Sequence, residues 1–213
     1  MNPTKLDHVA LWVADRDGIA DFATARLGMH VIERTDAFTL VGADARRGKL
    51  TLFAAEGPRE PGALKHIGWR VPSAAGEREL ELPDGVRVVL VEGGDHDLDH
   101  VALVSGDPEA AAAEYASYGF EAAAPGPSGC PRVAVGGAWI EFHPGDPGAA
   151  EKPLLNHIAV LVDSADEHIA AANDLGIEID DVKDAPNTYA VFLRGPEGVR
   201  IEYVEHKPTF SLM

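Results

Sequence analysis

Four histidines recur at matching places in four similar segments. "LDHVALWV" starts at Leu6, "LKHIGWRV" at Leu64, "LDHVALVS" at Leu98 and "LNHIAVLV" at Leu155, so His8, His66, His100 and His157 each stand third. The successive spacings are 58, 34 and 57 residues, which divides the chain into two related halves of two units each. Two later apolar segments, "WIEFHPG" from Trp139 and "VRIEYVE" from Val199, are each interrupted by one carboxylate, Glu141 and Glu202. A buried carboxylate is costly unless a hydrogen bond, a cation or a metal compensates it. Two neutral imidazoles with two carboxylates suit an octahedral Fe, Mn, Ni, Co or Zn ion with two positions open. Such an ion acts as a Lewis acid on a substrate that reaches it through adjacent oxygens.

The segments that must position these groups read as short buried strands, rich in β-branched residues. Period two places Leu98, His100, Ala102 and Val104 on one face. Trp139, Glu141 and His143 share a second face, and Arg200, Glu202 and Val204 a third. After three of the four first strands comes a helical stretch ending at Gly28, Gly119 or Gly176, where a left-handed residue closes a helix. Asp107 before Pro108 is a good helix start, and Ser164 with Glu167 fits a capping box. Each unit ends on another apolar strand, and units two and four share the turns "PDGVR" from Pro83 and "PEGVR" from Pro196. Between histidine and turn, unit two is shorter than unit four by about a helix and a strand. The predicted module is strand, helix and about three strands, with the second module truncated. Gly57–Gly62 and Pro144–Pro153 read as connections between modules, and His96–Leu98 joins the halves.

Composition narrows the partners. The 213 residues hold 18 Lys and Arg against 35 Asp and Glu, a net charge of −17. That argues against non-specific nucleic-acid binding and against attraction to an anionic membrane surface. The single cysteine, Cys130, cannot make an internal disulfide, and no secretory signal or long apolar run is evident, so a cytoplasmic setting is expected.

The repeat, with a histidine in the first strand and an acidic residue in the last, resembles the vicinal oxygen chelate superfamily. That group includes glyoxalase I, extradiol ring-cleaving dioxygenases and bleomycin resistance proteins. The resemblance covers residues 5–206 and implies an α+β fold of four βαβββ modules in two paired-module domains with curved mixed sheets. It implies domains at 1–95 (modules one and two, metal-free) and 96–213 (modules three and four, with the metal), as in the extradiol dioxygenases. Carried over by position, the ligands of one divalent ion are His100, Glu141, His157 and Glu202. Modules one and two offer Thr51 and Val89 in place of the two glutamates, so His8 and His66 are left as core residues.

By the same resemblance, the His-Glu-His-Glu pattern points first to lyase, isomerase or epimerase chemistry of the glyoxalase type. Glu141 or Glu202 would serve as base, with His143 a further catalytic candidate. An extradiol dioxygenase using His100, His157 and Glu202 is the alternative. In "VFLRGPEGVRIE" from Val191, Pro196, Gly198 and Glu202 match that family's final-ligand signature. Phe192 stands in place of its tyrosine, and neither helper histidine is present. A third reading is a small-molecule or antibiotic-binding protein without turnover. Trp139, Tyr189 and Phe192 are the candidate substrate-pocket residues, with period two placing Tyr189 and Phe192 on opposite faces. His30, His96, His168 and His206 are expected at the surface. The implied partner is a small-molecule substrate, and a homodimer is compatible with the layout.

Overall fold

The computed structural model describes residues 1–213. Module one runs β1 (Lys5–Val13), α1 (Arg16–Arg26), β2 (His30–Arg34), β3 (Phe38–Asp44) and β4 (Arg47–Ala54). Module two has only β5 (Leu64–Val71), β6 (Glu79–Glu81) and β7 (Arg87–Glu92), so the helix and one strand are missing as its length predicts. Module three is β8 (Asp97–Ser105), α2 (Pro108–Ser117), β9 (Glu121–Ala123), β10 (Arg132–Val135) and β11 (Ala138–Pro144). Module four is β12 (Leu155–Leu161), α3 (Ala165–Leu175), β13 (Ile179–Asp184), β14 (Thr188–Arg194) and β15 (Arg200–His206).

The helix boundaries follow from side-chain chemistry. Asp15, Asp107 and Ser164 cap the three helices by accepting from the backbone N–H three residues on. Gly28, Gly119 and Gly176 all have positive φ after the helices. Gly28 is also required by space, because a Cβ there would lie 2.8 Å from the His96 ring.

Two mixed sheets result. The eight-stranded sheet is ordered β13-β14-β15-β12-β1-β4-β3-β2, and the seven-stranded sheet β6-β7-β5-β8-β11-β10-β9. In each, the first strands of two modules pair antiparallel at the centre, β1 with β12 and β5 with β8. Each first strand also pairs parallel with its own module's last strand.

The pairing differs from the expected halves 1–95 and 96–213. Module one pairs with module four, and module two with module three. The connection Gly93–His96 explains this. Four residues reach about 13 Å, enough to pass the two strand spacings, about 10 Å, from β7 across β5 to β8. The short link therefore places β8 against the free edge of β5. The longer connections 55–63 and 145–154 carry the chain between sheets.

Modules one and two still touch, through a turn and through the core. The Pro83–Gly85 turn sends Asp84 to accept from the N–H of Asp15 at 3.1 Å. The matching Pro196–Gly198 turn sends Glu197 to the hydroxyl of Ser105 and to the N–H of Gly106 at 3.3 Å. The helices cover one face of each sheet, and a single apolar core continues from one sheet to the other. Within it Trp69 donates to the Leu27 carbonyl at 2.9 Å and Tyr203 to the Tyr118 carbonyl at 2.6 Å. The faces away from the helices carry the chemistry.

Candidate metal centre

Three adjacent central strands of the eight-stranded sheet bring His8, His157 and Glu202 together. Across β1 and β12, Ala10 pairs with His157 and His8 with Ala159, which makes the two histidines diagonal neighbours. On β15, Glu202 pairs with Ala159. His8 Nε2 lies 3.1 Å from His157 Nε2 and 3.2 Å from Glu202 Oε2. His157 Nε2 lies 3.0 Å from the same carboxylate oxygen. In the whole chain this is the single group of three or more His, Cys, Asp or Glu side chains whose ligand atoms converge.

The rings are oriented from behind. His8 Nδ1 donates to Asp7 at 2.8 Å and His157 Nδ1 to Asn156 at 2.9 Å. Those bonds leave both Nε2 atoms directed at the carboxylate. Asp7 is itself buried against Lys49 Nζ at 2.8 Å, and His206 Nε2 lies 3.3 Å away. Burial opposes charge on Asp7, but Lys49, His206 and His8 hold its carboxyl well below the usual range.

The three groups are strongly coupled electrostatically. Burial alone would raise Glu202, yet the attraction and hydrogen bonds of His157 and His8 hold it at about 2. Burial would lower His8, but its bonds to Asp7 and Glu202 raise it to about 9. His157, fully enclosed, is pushed below the ordinary imidazole value by burial, despite Glu202. Two ring nitrogens and one carboxylate oxygen pointing at one spot repel unless a proton or metal ion lies among them. The donor set, two imidazoles and one carboxylate, fits a divalent first-row metal.

Phe192 stands edge-on to the His157 ring at 5.2 Å, and Phe53 lies 6.3 Å from it. Trp12 and Phe38 pack on Phe53 at 5.3 and 5.9 Å. The approach to the three ligands is thus walled by aromatic rings.

Residues 5–125, more than half of the chain, match the family model for the Glyoxalase/Bleomycin resistance protein/Dioxygenase superfamily. The chain belongs to this superfamily. Among solved structures, a putative dioxygenase from Bacillus subtilis subsp. subtilis str. 168 superposes with a TM-score of 0.75 at 16% identity, covering 98% of this chain and 87% of that one. Glyoxalase I from Zea mays superposes with a TM-score of 0.73 at 15% identity, covering 94% of this chain and 92% of that one. At these identities the likeness is one of fold. No curated protein matches the chain significantly. No helix is long and apolar enough to cross a membrane.

Membership in the superfamily does not place the ligands where the paired halves put them. His100 and Glu141 lie on β8 and β11 of the seven-stranded sheet, and His157 and Glu202 on the other sheet. The four do not assemble, because modules three and four do not pair. His8, set aside as a core residue, takes the missing place beside His157. One signal could have found it: Asp7-His8, Asp99-His100 and Asn156-His157 each put a hydrogen-bond acceptor just before the ring, whereas Lys65 precedes His66. Module one's last-strand position, Thr51, pairs with Ala10 and adds no carboxylate.

The pocket candidates also separate. Phe192 faces the His8–His157–Glu202 group. Tyr189 is on the opposite face, where its hydroxyl donates to Asp166 of α3 at 3.1 Å. Trp139 lies in the seven-stranded sheet beneath the Arg132 guanidinium at 3.7 Å. His143 is in that sheet too. His30 is exposed and His96 half-buried. Of the two others expected at the surface, His168 is buried and His206 half-buried. His168 Nε2 accepts from the Asn2 N–H at 3.1 Å, and His206 stacks on Phe210 at 4.3 Å.

Proposed function

We propose that His8, His157 and Glu202 hold one divalent metal ion, and that the protein acts on a small substrate binding through two adjacent oxygens. The observation carrying this reading is the convergence of two Nε2 atoms and one Oε2 within 3.0–3.2 Å, each ring fixed from behind by Asp7 or Asn156. A bound ion would supply Lewis-acid polarisation of the substrate's oxygens. Asp7, pinned by Lys49, orients His8. Asn156 orients His157. Phe192 and Phe53 exclude water from one side of the centre and offer faces to a flat, apolar substrate.

Two histidines and one carboxylate with open positions make the ligand face used by non-haem Fe(II) oxygenases. Two features favour dioxygenase-type chemistry on an aromatic substrate with vicinal oxygens. Thr51 supplies no second carboxylate as base, and Glu202 is engaged by both histidines. Lyase, isomerase or epimerase chemistry is the second reading. It is favoured by Phe192, which fills the wall beside His157 without an acid or base. Metal analysis and turnover test both. Purified protein reconstituted with Fe(II) or Mn(II) should hold one ion and consume O₂ with a catechol. Anaerobic conversion of an α-oxo substrate with Ni(II) or Co(II) would establish the second reading. Full metal content in Glu202→Ala would overturn the ligand assignment itself.

A further inference from the structure

The seven-stranded sheet has a cup of its own, with groups that the metal centre does not use. Glu141 and His143 share a face of β11. The 124–131 loop folds over them: the Gly126 N–H donates to the Cys130 carbonyl at 3.1 Å, and the Gly129 N–H to the Gly126 carbonyl at 2.9 Å. The loop backbone comes so close that a Cβ at Gly126 would lie 2.6 Å from Glu141 Oε1. The loop thereby sets the half-buried Cys130 with its Sγ 3.2 Å from His143 Nδ1.

Lys65 decides the tautomer of His143. Its Nζ is 2.8 Å from the same Nδ1. An ammonium can only donate, so Nδ1 carries the lone pair and Nε2 the hydrogen. That Nε2 is buried without a hydrogen-bond partner, and the Glu141 carboxylate is 3.6 Å from it. His143 is only 8% exposed. Burial and the Lys65 charge push its pKa below the ordinary value, so it is a neutral base at neutral pH. Arg132 adds a second cation, with Nη1 3.9 Å from Glu141 Oε1. A thiol beside the lone pair of a histidine whose other nitrogen faces a carboxylate is the arrangement of an activated cysteine nucleophile.

We infer that Cys130, His143 and Glu141 form a nucleophilic thiol site in this second cup, one that takes small anionic electrophiles. The Lys65 ammonium swings from His143 Nδ1 to the sulfur, which frees that lone pair to take the Cys130 proton as the sulfur forms its bond to the electrophilic carbon. Glu141 accepts from the Nε2–H of the resulting imidazolium. The leaving group departs with the electrons of the broken bond. Lys65 faces the developing thiolate and the substrate's negative charge. The site shares no residue with His8, His157 and Glu202, so it stands or falls separately.

Iodoacetate is the probe: the S–C bond forms, the C–I bond breaks and iodide leaves. In the full-length protein at pH 7, one carboxymethyl group should appear on Cys130, mapped by peptide mass. Its rate should exceed that of N-acetylcysteine by about tenfold or more, and iodoacetate should outpace neutral iodoacetamide. His143→Asn should slow labelling by about tenfold or more. Lys65→Met, which keeps Cys130 and His143 but removes the cation, should abolish the preference for iodoacetate. The Cys130→Ser variant should take no label and keep full metal content, which reports on folding. Labelling at the free-thiol rate, a rate unchanged in His143→Asn, or a preference for iodoacetate unchanged in Lys65→Met would each overturn the inference.

Discussion

The two cups start from the same plan and end as different sites. In each, two histidines on central antiparallel strands face each other, Nε2 to Nε2, at 3.1 Å for His8–His157 and 3.0 Å for His66–His100. The ring pairs are edge-on at 5.2 and 5.1 Å. The glutamates also match in register: Glu202 pairs with the residue two beyond His157, and Glu141 with the residue two beyond His100. Only Glu202 turns to the histidines. Glu141 is drawn toward His143 and Arg132 and lies under the glycine loop. Opposite Glu202 the neighbouring strand places Phe192 where Arg132 stands opposite Glu141, and the nearby Arg200 pairs with Asp180 at 2.6 Å. A strand position therefore offers a ligand, and the neighbouring charges decide whether it is used.

The strongest way to break this comparison is to exchange the glutamates. Glu202→Ala should weaken divalent-metal binding by more than about 100-fold, beyond the 10–100-fold usual for supporting residues. Glu141→Ala should leave it unchanged. Competition against a chelator measures both, and equal losses would erase the distinction. Removing support should cost less. Asp7→Asn lets His8 turn and strands Lys49, and a drop of about 10–100-fold in affinity is expected by the same titration.

Proton competition gives a smaller, graded effect. His8 rises from an ordinary 6.5 to about 9 in the folded protein. Its contribution to apoprotein stability is full below 6.5 and is lost as pH rises through about 9. The metal-free melting temperature should fall over that window, while metal affinity increases as the proton leaves. A flat apoprotein profile with pH-independent affinity would contradict the assignment. The smallest expected effect sharpens the contrast from the other side. Arg132→Leu frees Glu141 from one cation and should give the His66–His100 cup weak binding of a second metal equivalent. No added equivalent would mean that His143 and the 126 loop suffice to hold Glu141 away.

Much of this was readable from the residues. The four histidine strands, the truncated second module, the caps at Asp107 and Ser164 and the closing glycines all depend on local chemistry. Module pairing did not yield to the same reading, because it rests on the reach of Gly93–His96, a property of a connection and not of any strand. The ligand set failed for a related reason. Along the chain only His143 marks Glu141 apart from Glu202, and the rest of what separates them comes from Arg132 and Gly126, contacts set only by the folded sheet. His8 lost its place because Thr51 replaces its module's carboxylate, although Glu202 from module four supplies one.

The outer sheet takes its strands from the two ends of the repeat, and the inner sheet takes those between them. On a ribosome this order has a temporal meaning. The inner sheet, residues 64–144, is complete while β12 and β15 are still unmade, and β1 must wait with its edge uncovered. His8 meets His157, 149 positions further along, only once that strand has been synthesised, and Glu202 arrives later still. Such long loop closures are slow. The His8–His157–Glu202 group is therefore the last part of the two sheets to become whole, and an ion captured there would fasten the outer sheet shut.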